Sequence, residues 1–206
     1  MDIQTVMRIM DSSSRTRRTM EQSLHEIDRR ALNAMVLVKR HGNNLASYGV
    51  VASAFREQAV RLKAAAVPLQ ESIAPLVRAR LRILQHRRFA DAFRRTAERN
   101  DGNPRLAAFL AQSEKNWQHD IEAEETEGLR ILRHLVETAV RLQEGITEQE
   151  YVVTNGRIEA ALSEKTGAPL MRVSQEMGTA VAKVRDAIWE YRAELEEVLH
   201  ESCASL

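Results

Sequence analysis

Met177, Val181, Val184, Ile188, Tyr191, Leu195 and Val198 follow one another at four, three, four, three, four and three residues. That rhythm gathers them into a single seam on a coiled helix, and a seam of this length must be covered by other helices. A strand cannot use it, since its side chains alternate faces at every residue. The same spacing appears in Ile27, Ala31, Ala34 and Val38, and runs back through Leu24, Met20, Arg17, Ser13, Met10 and Val6. It predicts a helix over 3–41. Asp11-Ser12-Ser13-Ser14 is the expected weak point, because short polar side chains compete for backbone hydrogen bonds.

The breaks set the rest of the organisation. His41-Gly42-Asn43-Asn44 concentrates residues that tolerate turn geometry, and the apolar pattern resumes after it in Val51, Phe55, Gln58, Leu62 and Ala65. Two antiparallel helices are expected, joined at 41–45. Pro68 and Pro75 predict an interruption between 67 and 76. Asn100-Asp101-Gly102-Asn103-Pro104 is the strongest breaker, followed by a helix over about 105–143. Gly145-Ile146-Thr147 is expected to end that helix, with Thr147 and Glu150 forming a capping box for the next, and Thr166-Gly167-Ala168-Pro169 to break the chain again. The chain is thus read as all-α: elongated antiparallel hairpins forming a coiled-coil or four-helix-type bundle. Residues 1–100 form the first hairpin and 101–206 a second that packs on it or extends it. Only 8 Gly and 4 Pro in 206 residues, with few aromatics, agree with long helices.

Within this frame, Ala31 to Arg61 resembles the tip of the cytoplasmic signalling hairpin of methyl-accepting chemotaxis receptors. Laid on without a gap, that family's pattern keeps Ala31-Leu32-Asn33-Ala34, Val36, Arg40, Gly42, Val50-Val51-Ala52, Arg56, Ala59 and Arg61, with Tyr48 for the family's Phe. The resemblance covers both arms and the turn. It implies a non-enzymatic protein that contacts the chemotaxis histidine kinase and its coupling adaptor, and other chemoreceptors, through Asn33, Arg40, Gly42, Asn43, Tyr48, Val50, Val51 and Ala52. It also implies a homodimer in which two hairpins make the four-helix bundle, in the cytoplasm and associated with chemosensory arrays. Leu37 and Asn43 stand where the family has Glu, and Leu45 and Ser47 replace two tip glycines. Glu124-Glu125 and Glu196-Glu197 lack the small flanking residues of receptor methylation sites, so no adaptation by methylation is expected.

Charge and chemistry add few competitors. The net charge is +1, which gives no global attraction to nucleic acid or to an anionic membrane, and no apolar run is long enough to insert into one. Arg78 to Arg99 holds eight Arg against two acids, while Glu114 to Glu127 holds six acids against Lys115. If the chain folds back near Gly102, these stripes face each other as a charge zipper, with position 88 near 116 and 80 near 124. His119 with Glu122, and His134 with Glu137, share helix faces, but helical-bundle metal sites need further carboxylates from facing helices. Cys203, the single cysteine, sits among small polar residues near the end, and no phosphate-cradling Gly loop occurs. No cofactor, metal or enzymatic activity is therefore expected, and the competing reading is a structural coiled-coil scaffold unrelated to chemotaxis.

Overall fold

The structure, a computed structural model, describes residues 3–99, 104–163 and 167–204. It is all-α. Helix α1 spans Ile3–His41, a 3-10 turn Gly42–Leu45, α2 Ala46–Ala65, α3 Val67–Glu71, α4 Ile73–Arg99, α5 Pro104–Leu162 and α6 Gly167–Ala204. The interruption expected at Pro68 and Pro75 is the α2–α3–α4 series. Of the breaks expected at 100–104 and 166–169, residues 100–103 and 166 lie outside the described residues, whereas Pro104 opens α5 and residues 167–169 belong to the first turn of α6.

Helices α1, α2, α5 and α6 form an antiparallel four-helix bundle whose register is fixed by cross-helix pairs. Asp28 on α1 accepts from Arg56 on α2 at 2.9 Å, and Gln58 on α2 donates to Glu148 on α5 at 3.0 Å. Arg185 and Arg192 on α6 reach Glu150 and Gln143 on α5, and Arg30 on α1 pairs with Glu176 on α6. Every residue of the α6 seam from Met177 to Val198 is buried. Most of the core is one cluster drawing on all six helices, so the two hairpins share a single interior. The half of the bundle that the receptor resemblance assigns to a second chain is supplied here by α5 and α6 of the same chain.

Two sequence expectations are corrected. Helix α1 runs unbroken through Asp11–Ser14, because Ser12, Ser13 and Thr16 are buried against α6 and the Thr16 hydroxyl donates to the Ala187 carbonyl at 3.4 Å. Small polar side chains here serve helix approach rather than capping. Helix α5 likewise does not stop at Gly145. It continues to Leu162, and the Thr147 hydroxyl bonds back to the Gln143 carbonyl at 3.1 Å instead of capping a new helix. At Gly145 a Cβ would stand 2.8 Å from Leu62 Cδ2, so the glycine admits α2 rather than ending α5.

The charge zipper does form between α4 and α5. Arg82 bonds Glu124 at 2.8 Å, Arg87 bonds Glu125 at 2.9 Å and Arg94 bonds Glu114 at 3.3 Å. The anticipated register put Arg82 opposite Glu122, Arg94 opposite 110 and Arg87 opposite 117, so the observed partners lie two, four and eight residues further along α5. Such exposed pairs contribute under ~1 kcal/mol each, and their effect is on register.

The bundle core yields two stability predictions. Burial pushes the Tyr191 phenol up to about 12 from an ordinary 10.0, with Ser13 nearby only partly offsetting it. The unfolded chain therefore loses this proton first. The stabilisation is complete below pH 10.0 and is lost as pH rises through about 12. Between about pH 8 and about pH 11, urea unfolding should show a larger loss of stability for the wild type than for Tyr191→Phe. The second concerns α5. A Cβ on Gly128 meets nothing within 4 Å, whereas one on Gly156 would lie 2.8 Å from Ser174 Oγ and 3.3 Å from Val51 Cγ1. Thermal unfolding should show Gly128→Ala stabilised by about 0.8–1 kcal/mol. Gly156→Val should be destabilised by about 1–3 kcal/mol through overpacking.

Candidate interaction face at the hairpin tip

The α1–α2 turn is made by Gly42, whose φ of 66° is the left-handed conformation that glycine adopts without strain. Leu45 then folds inward and is buried. Lys39, Arg40 and His41 end α1, where positive charge suits the carbonyl end of a helix. The end of α5 and the start of α6 lie at the same end of the bundle. The tip is packed against them, and Ala34, Leu45, Tyr48, Ala52, Ala160 and Leu170 form a second small core.

This packing divides the residues singled out from sequence into two sets. Tyr48 is fully buried, its hydroxyl 2.7 Å from Ser174 Oγ and donating to the Leu170 carbonyl at 3.2 Å. Burial raises its ionisation above the ordinary phenol range, with the Ser174 hydrogen bond opposing. Ala52 is fully buried and Val51 only 9% exposed, packed where Gly156 lets α5 approach α2. Tyr48, Val51 and Ala52, expected on a partner-binding surface, thus belong to the chain's own interior. The physical reason is that α5 and α6 occupy the space beside α2.

Asn33, Arg40, Gly42 and Val50 are on the surface, and the Asn43 side chain is outside those described. Val50 is 72% exposed. The register between α1 and α2 is set by Arg56 on Asp28 and by Gly49, where a Cβ would stand 3.3 Å from Val38 Cγ1. It brings Val36 level with Val50, and Leu32 one turn further along. Leu32 and Val36 are both exposed. All three are exposed apolar side chains of the α1/α2 hairpin close to its turn.

Leu32 and Val36 were not among the residues expected at a site. Their signal was present, since both are apolar yet fall off the seam of Ile27, Ala31, Ala34 and Val38. A second signal is electrostatic. No acidic residue occurs between Asp28 and Glu57, an interval that includes Arg29, Arg30, Lys39, Arg40 and Arg56. Of these cations, Arg30 is paired with Glu26 and Glu176, and Arg56 with Asp28. Among the described residues no group of three or more His, Cys, Asp or Glu could hold a metal ion. No described helix is long and apolar enough to cross a membrane.

No protein-family model matches this chain, and no curated protein or solved structure matches it.

Proposed function

We propose that the protein is a non-enzymatic, chemoreceptor-like signalling or array-organising protein, and that the outer face of its α1/α2 hairpin docks on a partner protein. The observation that carries this reading is the set of exposed apolar side chains Leu32, Val36 and Val50 beside the turn, inside a stretch free of acidic residues. Core packing does not require them, and apolar side chains left exposed near one turn are a mark of protein-binding surfaces. The sequence resemblance names the partners to try first: the chemotaxis coupling adaptor and histidine kinase.

A second reading is favoured by the burial of Tyr48, Val51 and Ala52. Here the tip is bundle filling, and the protein is a coiled-coil scaffold that depends on the α6 seam and has no link to chemotaxis.

Calorimetry of the purified chain with the adaptor and the kinase separates the two. The first reading expects binding by the wild type, weakened at least about tenfold by Val50→Asp with helicity unchanged, a loss of about 1.4 kcal/mol. Val51→Asp would be the wrong probe. It places a carboxylate against Gly156 in the core and should unfold the tip, so its loss of binding would carry no information about contact. A folded wild type that binds neither partner, or that binds both unaffected by Val50→Asp, defeats the docking reading and leaves the scaffold.

A further inference from the structure

Helix α5 is far longer than its neighbour. Arg192 on Gln143 and Arg185 on Glu150 set a register that brings the end of α6 level with about residue 131 of α5. Among the described elements, α4 is the one that lies along the segment of α5 before that point. The two form a stalk about 40 Å long, from the 27 residues of α4 at about 1.5 Å each.

A pair of helices covers each seam from one side only, and this stalk carries more than its own seam can hide. Of the chain's four Phe and two Trp, Phe89, Phe93, Phe109 and Trp117 lie on it. Phe93 meets Trp117 edge-on at 4.5 Å between ring centroids, and Phe89 lies at 6.2 Å from the same ring. Phe89 is nevertheless 45% exposed and Phe109 61%. Seven-residue spacing puts Phe89 on the flank of Arg82, and Trp117 on the flank of Glu124. The opposite flank holds Arg87 with Glu125 and Arg94 with Glu114. One side of the stalk thus carries Phe89 and Trp117 beside the Arg82–Glu124 pair, and the other carries the Arg87 and Arg94 ion pairs.

We propose that this aromatic face binds a second copy of the same chain, so that two stalks side by side become a four-helix bundle. The charge pattern selects that occupant. Helix α4 is basic and α5 acidic over the stalk, and a two-fold axis along the stalk sets α4 of each copy against α5 of the other. The basic helix then meets an acidic one, and Phe89 comes level with Trp117 of the other copy. An axis across the stalk would instead press α4 on α4, arginine against arginine. Size agrees too. A face about 40 Å long and about two helix diameters wide offers on the order of 800 Å² per copy, the area that stable interfaces of standard size bury. Exposed aromatics at the middle of such a face are the residue type that dominates binding energy. The proposal uses a different face from the α1/α2 hairpin and does not depend on what that hairpin binds.

The test is sedimentation equilibrium of the full chain from about 1 to about 100 μM. It is run under reducing conditions, because Cys203 is exposed and would otherwise link chains covalently. The wild type should be a dimer over the upper part of that range. Phe89→Glu with Phe109→Glu should raise the dissociation constant at least about thirtyfold with the circular dichroism unchanged, whereas Val50→Asp should leave it as it was. If the double variant loses helix, Phe89→Ala gives the same direction with a smaller change. A wild type that stays monomeric to the top of the range overturns the proposal. So does a dimer that survives folded variants of the aromatic face.

Discussion

The seam of α6 is the interaction on which the remaining structure depends. Its residues are buried on both flanks, against α1 on one side and α5 on the other, and no two-helix arrangement could cover them. Once α6 is committed between those two helices, α2 has only one place left, across from α6 between α1 and α5. The polar pairs then choose among the registers that apolar packing allows. Arg30 with Glu176, Arg56 with Asp28 and Arg185 with Glu150 are partly exposed and individually weak, yet each fails if a helix slides by a turn.

Much of this was legible because the information is periodic. The seams of α1 and α6 and the opposed charges of α4 and α5 are repeated signals, so one irregular residue does not erase them. The misread places are those where a residue's local preference and its packing role point in opposite directions. Gly145 carries the composition of a helix end, but inside a long helix its missing Cβ is what lets Leu62 approach. Ser12 and Ser13 resemble a cap by propensity, and they are buried between α1 and α6, where a larger side chain would hold the helices apart. Sequence alone does not say which role applies, since the deciding neighbour is about 180 residues away for Ser13, which meets Tyr191, and about 80 away for the glycine, which meets Leu62.

The candidate site was legible in the same uneven way. Its position in the chain could be read from the turn and from the residues around it. Which side chains face outward could not, because that depends on whether α2 is flanked by a second chain or by α5. Tyr48 illustrates the difference. As a tip aromatic it would suit a partner surface, but with Ser174 and the Leu170 carbonyl at hydrogen-bonding distance it ties the start of α2 to the start of α6. That bond joins residues from opposite halves of the sequence, and nothing in the spacing around either one announces it.

The resemblance that first drew attention to the tip can now be divided by cause. Ala31, Ala34, Ala52 and Ala59 are buried where helices approach, and Val51 fits against Gly156. Small residues at those positions are what any tight antiparallel bundle needs, so they carry little weight as a record of function. Leu32, Val36 and Val50 are different. They lie outside the seam, and an exposed branched apolar side chain gains nothing from the folded bundle while keeping apolar surface in water. Isolated cases are ordinary on protein surfaces, but these three lie close to one turn of one hairpin. Packing leaves this part of the motif without a structural role, and Val50 is its most exposed member.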